Sequence, residues 1–166
     1  MPAPILMPFA PRHLPEALRL QSQVYPAFLV EPEDAFASRC ATAAPYCLAA
    51  EVDGTLVAYL LAHGWPREAP APVGAVLDPE IRGDALFLHD LAVSPAARGT
   101  GIGRALVDHA FALASRDGLR WAELIAIEGA APFWSGLGFA PGSPSPELAA
   151  KVAGYGPLAQ WMARPL

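Results

Sequence analysis

The sequence has few charged residues and almost no cysteine: 16% of its 166 residues are charged and two are cysteines. Cys40 and Cys47 have neither the spacing of a metal site nor the number required for a disulfide framework, which favours a reduced, cytoplasmic setting. The N-terminal stretch lacks a basic start followed by a long apolar run, and no segment is long enough for a transmembrane helix. We therefore expect neither a signal peptide nor a membrane partner.

Positive charge is also scarce. Eleven Lys and Arg residues stand against sixteen Asp and Glu residues, for a net charge of −5. Nucleic-acid binding requires a basic face, so we expect no nucleic-acid partner. The acidic balance is compatible with a small cationic substrate.

Apolar residues and prolines are abundant. With 54% hydrophobic residues and this length, the chain predicts a single domain over residues 1–166 with a substantial core. The nineteen prolines cluster at both ends of the chain and in Gly64–Asp84, and the last of these stretches is predicted to be a long loop.

The hydrophobic periodicity predicts elements in the order β, α, α, β, β, β, α, β, α, β. The pair Asp53-Gly54 predicts a hairpin between Tyr46–Val52 and Thr55–His63. This order predicts an α/β fold with a mixed, mostly antiparallel sheet and helices on both faces. The other predicted strands are Pro4–Ala10, Ala85–Val93, Trp121–Ile127 and Leu158–Arg164, and the predicted helices are Pro11–Tyr25, Glu33–Ala43, Thr100–Asp117 and Ala130–Leu137.

A glycine-rich stretch, "ARGTGIGRAL", separates a predicted strand from a predicted helix. Glycine permits close approach of the backbone, and a helix N-terminus attracts anions, so the stretch predicts a phosphate-bearing ligand. A Walker A loop is excluded because no Gly-Lys-Ser/Thr follows. A dinucleotide loop fits Gly99 and Gly101 but fails at Arg104, and too little chain remains for the second half of that fold. Glu123 lies where the ribose-binding acid would stand, which keeps dinucleotide binding as an alternative.

The same stretch also reads R-x-x-G-x-G at Arg98, Gly101 and Gly103, and "APFWSGLGFAP" follows at Ala131–Pro141. Together the two stretches resemble motifs of the GCN5-related N-acetyltransferase (GNAT) family. The resemblance implies the acyl-CoA N-acyltransferase fold, acetyl-CoA as co-substrate and no metal. The residues that it implies for coenzyme A binding are Leu91, Ala92, Val93, Arg98, Gly99, Thr100, Gly101, Ile102, Gly103, Arg104, Phe133 and Trp134.

The strand "LFLHDLAV" is similar to that of the arylalkylamine N-acetyltransferases, in which two alternating histidines act through water as the general base. His89 matches the second histidine, and Phe87 stands in place of the first. An alkylamine of pKa roughly 10 must lose a proton before it attacks, and a histidine near pKa ~6.5 is a suitable acceptor. A core histidine bonded to a carbonyl is the alternative for His89. Strand alternation predicts that Asp90 faces the other way, unless a bulge redirects it.

The resemblance also extends to the stretches that surround the amine in that subgroup. The implied substrate-binding residues are Tyr25, Pro26, Phe28, His63, Trp65 and Phe87. The expected activity is transfer of an acetyl group from acetyl-CoA to a small apolar or aromatic primary amine, by direct attack in a ternary complex. The alternatives are acetylation of a protein N-terminus or lysine, and a non-catalytic acyl-CoA-binding module. We expect a monomer or a homodimer.

Two positions depart from the family pattern. Trp134 replaces the common tyrosine that protonates the departing thiolate, and Ile127 replaces an asparagine that contacts coenzyme A. The indole N–H has no usable acidity, so Trp134 is not the general acid. We expect water, Tyr25 or Tyr155 to supply that proton.

Overall fold

The computed structural model describes residues 2–42 and 46–166. The strands are β1 (Ile5–Pro8), β2 (Leu48–Val52), β3 (Thr55–Trp65), β4 (Ala85–Val93), β5 (Trp121–Ala126), β6 (Ala140–Pro141) and β7 (Gln160–Pro165). The α-helices are α1 (Leu14–Val24), α2 (Glu33–Cys40), α3 (Ile102–Arg116), α4 (Ala131–Ser135) and α5 (Pro146–Ala153). No helix of the described residues is both long and apolar enough to cross a bilayer.

The strands form one seven-stranded sheet in the order β1-β2-β3-β4-β5-β7-β6. β4 and β5 are parallel because α3 crosses over between them, and the other neighbours are antiparallel. At the β2–β3 hairpin, Asp53 and Gly54 have positive φ angles of 50° and 77°, as the favoured two-residue turn requires. The predicted fold class is confirmed.

Side chains that alternate along β3 pack into hydrophobic clusters on the two faces of the sheet. Leu60 belongs to the cluster that packs under α3, together with Leu106 of that helix. Tyr59 and Leu61 belong to the opposite cluster, which includes Phe36 of α2. Helices therefore cover both faces of the sheet, and the sheet can carry a buried site at its centre.

The centre of the sheet is irregular in two ways. Pairing between β4 and β5 ends at Leu88 and Leu124, so the two strands separate beyond that point. On the other side of β4, Leu88 pairs with Ala62 and Asp90 pairs with Leu61. His89 is thus the extra residue of a β-bulge, which disrupts the alternation of side chains. The gap and the bulge lie at the same place.

The main differences from the prediction lie near the C-terminus. α5 and β6 were not predicted, although Ser145 caps α5 by accepting a hydrogen bond from the Leu148 N–H at 3.2 Å. Serine followed by proline is a helix-start signal. The predicted helix Glu33–Ala43 ends at Cys40, and Ala43 lies outside the described residues.

Candidate active site

A cavity of about 530 Å³ occupies the gap between β4 and β5 and extends from the start of α3 to His89. Most of the residues expected to bind coenzyme A line it, namely Leu91, Ala92, Val93, Arg98, Gly99, Gly101, Ile102, Gly103, Arg104, Phe133 and Trp134. Thr100 is not in its lining, and its hydroxyl donates to the Ala97 carbonyl at 2.5 Å. The gap left by the separating strands thus brings the two sequence motifs to one site.

The glycine loop presents backbone amides to this cavity. Gly99 and Gly101 have positive φ angles of 76° and 82°, a conformation that favours glycine. The first hydrogen bond of α3 joins the Ala105 N–H to the Gly101 carbonyl at 3.0 Å. Within the described chain, the amides from Gly99 to Arg104 donate to no acceptor. Free amides at a helix start fit a phosphate group, so the loop fits the diphosphate of a coenzyme A substrate.

His89 is almost fully buried and bonded to a carboxylate. Its Nε2 lies 2.5 Å from Glu31 Oε1, and its Nδ1 has no partner. An ionised carboxylate only accepts hydrogen bonds, so Nε2 carries the proton and Nδ1 is left as the acceptor. Burial and the charge of Arg39 outweigh the bond to Glu31 and lower the pKa of His89 to about 4. The imidazole is therefore neutral at pH 7, and it is a weaker base than the histidine of pKa ~6.5 that the sequence predicted.

Glu31 is 3% exposed and is held from several sides. Its Oε2 accepts the Gly74 N–H at 2.9 Å and lies 3.6 Å from Arg39 Nη2. The Gln21 side chain bonds the Glu31 backbone N–H and carbonyl at 3.1 and 2.8 Å. Burial raises the pKa of Glu31, but the bond to His89 and the charge of Arg39 outweigh it and set that pKa to about 2. Glu31 therefore stays ionised and fixes the ring of His89.

Sequence reasoning missed Glu31 and Arg39. Arg39 is fully buried, and its Nη1 lies 3.2 Å from His63 Nε2. Glu31 was detectable as the one acid in the apolar segment between Val24 and Pro32, because an acid there requires a partner.

Asp90 does not face away from His89 as alternation alone predicts, because the bulge named as the exception lies at His89, and both residues line the cavity. The Tyr59 hydroxyl donates to Asp90 Oδ2 at 2.8 Å, whereas Oδ1 is buried without a partner. Burial is the largest cause that raises the pKa of Asp90 to about 6. The site therefore contains a carboxylate with one free oxygen.

Unsatisfied polar atoms are concentrated at this place. Among the described residues, every buried side-chain nitrogen or oxygen without a hydrogen-bond partner belongs to Arg39, His63, His89 or Asp90. Native proteins leave few such atoms, and a cluster of them calls for a functional explanation.

Only one of the residues expected to bind the amine lines the cavity. Tyr25 lines the cavity, and its hydroxyl donates to the Leu91 carbonyl at 2.8 Å. Pro26, Phe28, His63, Trp65 and Phe87 lie outside the lining. Pro26 and Phe28 are exposed. The other three are buried in the packed part of the sheet. Apart from Tyr25, the cavity wall beyond His89 is formed by residues that were not predicted to bind the amine: Val24, Leu29, Val73, Ile125 and Tyr155.

The two tyrosines expected to supply a proton have bonded hydroxyl groups. Tyr155 donates to the Ala71 carbonyl at 2.6 Å, and burial raises its pKa to about 12. Tyr25 also has a pKa raised well above its usual value, chiefly by burial. Neither tyrosine is a strong acid here, so water is the better donor to a departing thiolate.

Trp134 lines the cavity and packs edge-to-face on Phe133 and Phe139, with centroid distances of 4.9 and 5.6 Å. We predict that Trp134→Phe raises KM for acetyl-CoA, with kcat falling less than about tenfold, because the indole supplies contact area rather than a proton. Steady-state kinetics on purified protein check this, with Trp121→Phe, outside the cavity lining, as the control. A kcat loss of about 10³-fold with coenzyme A still bound would contradict the prediction.

These features define an acyl-CoA-dependent transferase fold, with a diphosphate site at a helix start that leads to a buried polar centre. The sequence profile described as the acetyltransferase (GNAT) family matches residues 14–139. The chain belongs to this family, and it is an acetyl-CoA-dependent N-acetyltransferase. No curated protein sequence matches it.

Solved structures share the fold over nearly the full length. Ard1 from Thermoplasma volcanium is 14% identical with a TM-score of 0.73, covering 99% of this chain and 98% of that one. The ribosomal-protein-S18-alanine N-acetyltransferase from Escherichia coli is 19% identical with a TM-score of 0.68, covering 98% and 94%. The PaiA N-acetyltransferase from Thermoplasma acidophilum, in complex with coenzyme A, is 11% identical with a TM-score of 0.69, covering 99% of both chains. At these identities the likeness concerns the fold.

Proposed function

We propose that this enzyme acetylates a small apolar or aromatic primary amine by direct attack in a ternary complex. The observation that supports this proposal is a continuous cavity that joins the glycine loop to His89 and continues between apolar walls. A small amine fits between those walls, with its nitrogen at the polar centre and its apolar body beside Leu29, Val73 and Ile125.

Acetyl-CoA supplies the acetyl group. The backbone amides from Gly99 to Arg104 hold its diphosphate, with Arg98 at the edge of the loop. The strand residues Leu91 and Val93 offer main-chain groups to its pantetheine arm, and Phe133 and Trp134 close the opposite wall.

His89 accepts the proton of the amine at Nδ1, which is buried and has no partner among the described residues, so the proton passes through water, while Glu31 holds the other ring nitrogen. The amine nitrogen forms a bond to the acetyl carbon, the carbon–sulfur bond breaks, and coenzyme A leaves as the thiolate. A thiol has a pKa of roughly 8.5, so this leaving group requires no dedicated acid. No group of three or more His, Cys, Asp or Glu side chains in residues 2–42 and 46–166 is arranged to hold a metal ion.

The test is thiol release from acetyl-CoA with a panel of acceptors: 2-phenylethylamine, tryptamine, butylamine, spermidine, and peptides with a free N-terminus or a free lysine. We expect the arylalkylamines and butylamine to be acetylated with higher kcat/KM than the peptides. Faster acetylation of a peptide would replace the small-amine proposal with protein acetylation. Coenzyme A binding without turnover of any acceptor would favour a binding module.

A further inference from the structure

We propose that Asp90 binds the protonated amino group of the acceptor and selects acceptors that carry no carboxylate next to that group. This inference rests on the proposed function, because it concerns the acceptor end of the same cavity. It adds a specificity-determining residue that simple strand alternation would place on the opposite side of β4 from His89.

The first argument is the position of Asp90. The bulge at His89 breaks the alternation of β4, so that His89 and Asp90, adjacent in sequence, both line the cavity. Without that extra residue the two side chains would project to opposite faces of the sheet. The backbone irregularity therefore places a carboxylate beside the group that accepts the proton.

The second argument is the bonding of the two carboxylates at this centre. Both oxygens of Glu31 are occupied, one by His89 and the other by the Gly74 N–H, with Arg39 nearby. Asp90 Oδ2 accepts from Tyr59. Oδ1 has no donor although Asp90 is only 9% exposed, because the neighbouring Tyr25 hydroxyl donates to the Leu91 carbonyl. A buried carboxylate oxygen without a donor is costly, and an ammonium group supplies the missing donor and charge.

The third argument is the balance of charge around the acceptor. Asp90 and Glu31 both line the cavity there. Arg39 pairs with Glu31 and is not in the lining, and the two cations that do line the cavity, Arg98 and Arg104, lie at the glycine loop. If the acceptor carried a carboxylate next to its nitrogen, Asp90 and Glu31 would repel it. No cation lines that end of the cavity to offset the repulsion. Amines and amino-acid amides are therefore accepted, and free amino acids are rejected.

The test compares 2-phenylethylamine, phenylalaninamide and phenylalanine, which differ in the group beside the amino carbon. We expect the wild-type enzyme to acetylate the first two and to show at least about 10²-fold lower kcat/KM for phenylalanine. Asp90→Asn should raise KM for 2-phenylethylamine about 10- to 100-fold, the value of a hydrogen bond to a charged group. Asp84→Asn, at an exposed position before β4, is the matched control and should keep the wild-type KM.

A binding measurement provides a second readout. N,N-dimethyl-2-phenylethylamine is cationic at pH 7 and forms no stable amide, and 2-phenylethanol is a neutral comparison. Calorimetry on the protein saturated with coenzyme A should show tighter binding of the cation to the wild type, and no such preference in Asp90→Asn. Retained coenzyme A binding shows that the variant is folded.

The pH dependence provides a third readout. Besides burial, the groups that shift the pKa of Asp90 are Tyr25, Tyr59, Glu31 and Arg39. His89 is its neighbour in sequence. Its pKa of about 6 means that the carboxylate is charged at pH 7 and becomes neutral at lower pH. Binding of the cation to the wild type should therefore weaken as pH falls through about 6, and this change should be absent in Asp90→Asn.

The outcomes separate the two proposals. If 2-phenylethylamine is acetylated but Asp90→Asn keeps the wild-type KM and the preference for the cation, the role of Asp90 is wrong and the proposed function stands. Equal acetylation of phenylalanine and 2-phenylethylamine by the wild type also overturns it. If the wild type acetylates no small amine and binds neither probe, the proposed function fails, and the Asp90 assignment fails with it.

Discussion

Replacing His89 by glutamine should lower kcat/KM for the amine about 10²-fold at pH 7, the lower end of the range for acid–base catalysis. Glutamine keeps approximately the size of the side chain and its hydrogen bonding to Glu31, but it does not take up a proton. The loss therefore measures proton acceptance rather than packing.

The pH profile distinguishes this role from a structural one. An alkylamine has a pKa of roughly 10, so its free form becomes abundant as pH rises toward that value, and a base contributes less. The loss in His89→Gln should therefore shrink between pH 7 and pH 9.5. Because burial lowers the pKa of His89 to about 4, protonation of this ring should not reduce wild-type activity between pH 6 and pH 8.

The control for this variant is His109→Gln, the same change at an exposed position on α3, which should keep wild-type kinetics. Initial rates of thiol release at several pH values provide the measurement. A loss in His89→Gln that is the same at pH 7 and pH 9.5, or no loss at all, would leave His89 a structural residue.

Replacing Gly101 by aspartate should weaken binding of coenzyme A at least about 10²-fold. The new carboxylate would stand at the start of α3, where free amides attract the diphosphate, and it would both repel that group and compete for its donors. The loss of two hydrogen bonds to a charged group corresponds to about 3–6 kcal/mol, or roughly 10²- to 10⁴-fold in affinity.

Backbone strain has to be separated from this electrostatic effect. Gly101 and Gly118 have nearly the same φ, 82° and 85°, and an added Cβ would meet no atom within 4 Å at either position. Gly118→Asp, beyond the C-terminal end of α3, is therefore a matched control that should retain coenzyme A affinity. Calorimetric titration with coenzyme A measures both variants. If Gly101→Asp bound coenzyme A as tightly as the wild type, the diphosphate site would lie elsewhere.

Much of the fold depends on short-range signals, and these could be predicted. Asp53-Gly54 turns the β2–β3 hairpin, because its residues adopt the positive φ angles that the turn requires. The glycines at 99 and 101 mark the start of α3 for the same reason. Each signal acts within a few consecutive residues, so it can be recognised without tertiary contacts. The C-terminal helix α5 had such a signal at Ser145 and Pro146, which the high proline content obscured.

The sequence by itself determined the order of the elements from β1 to α4, the glycine loop and His89 as the candidate base. Only the tertiary structure decided the partners of that base. Glu31 meets His89 across 58 positions of the chain, and no local pattern encodes such a contact, since it results from the way the segment between α1 and α2 packs on β4. The side on which Asp90 lies was also decided by tertiary structure, because a one-residue bulge against β3 reverses the facing of every residue that follows it.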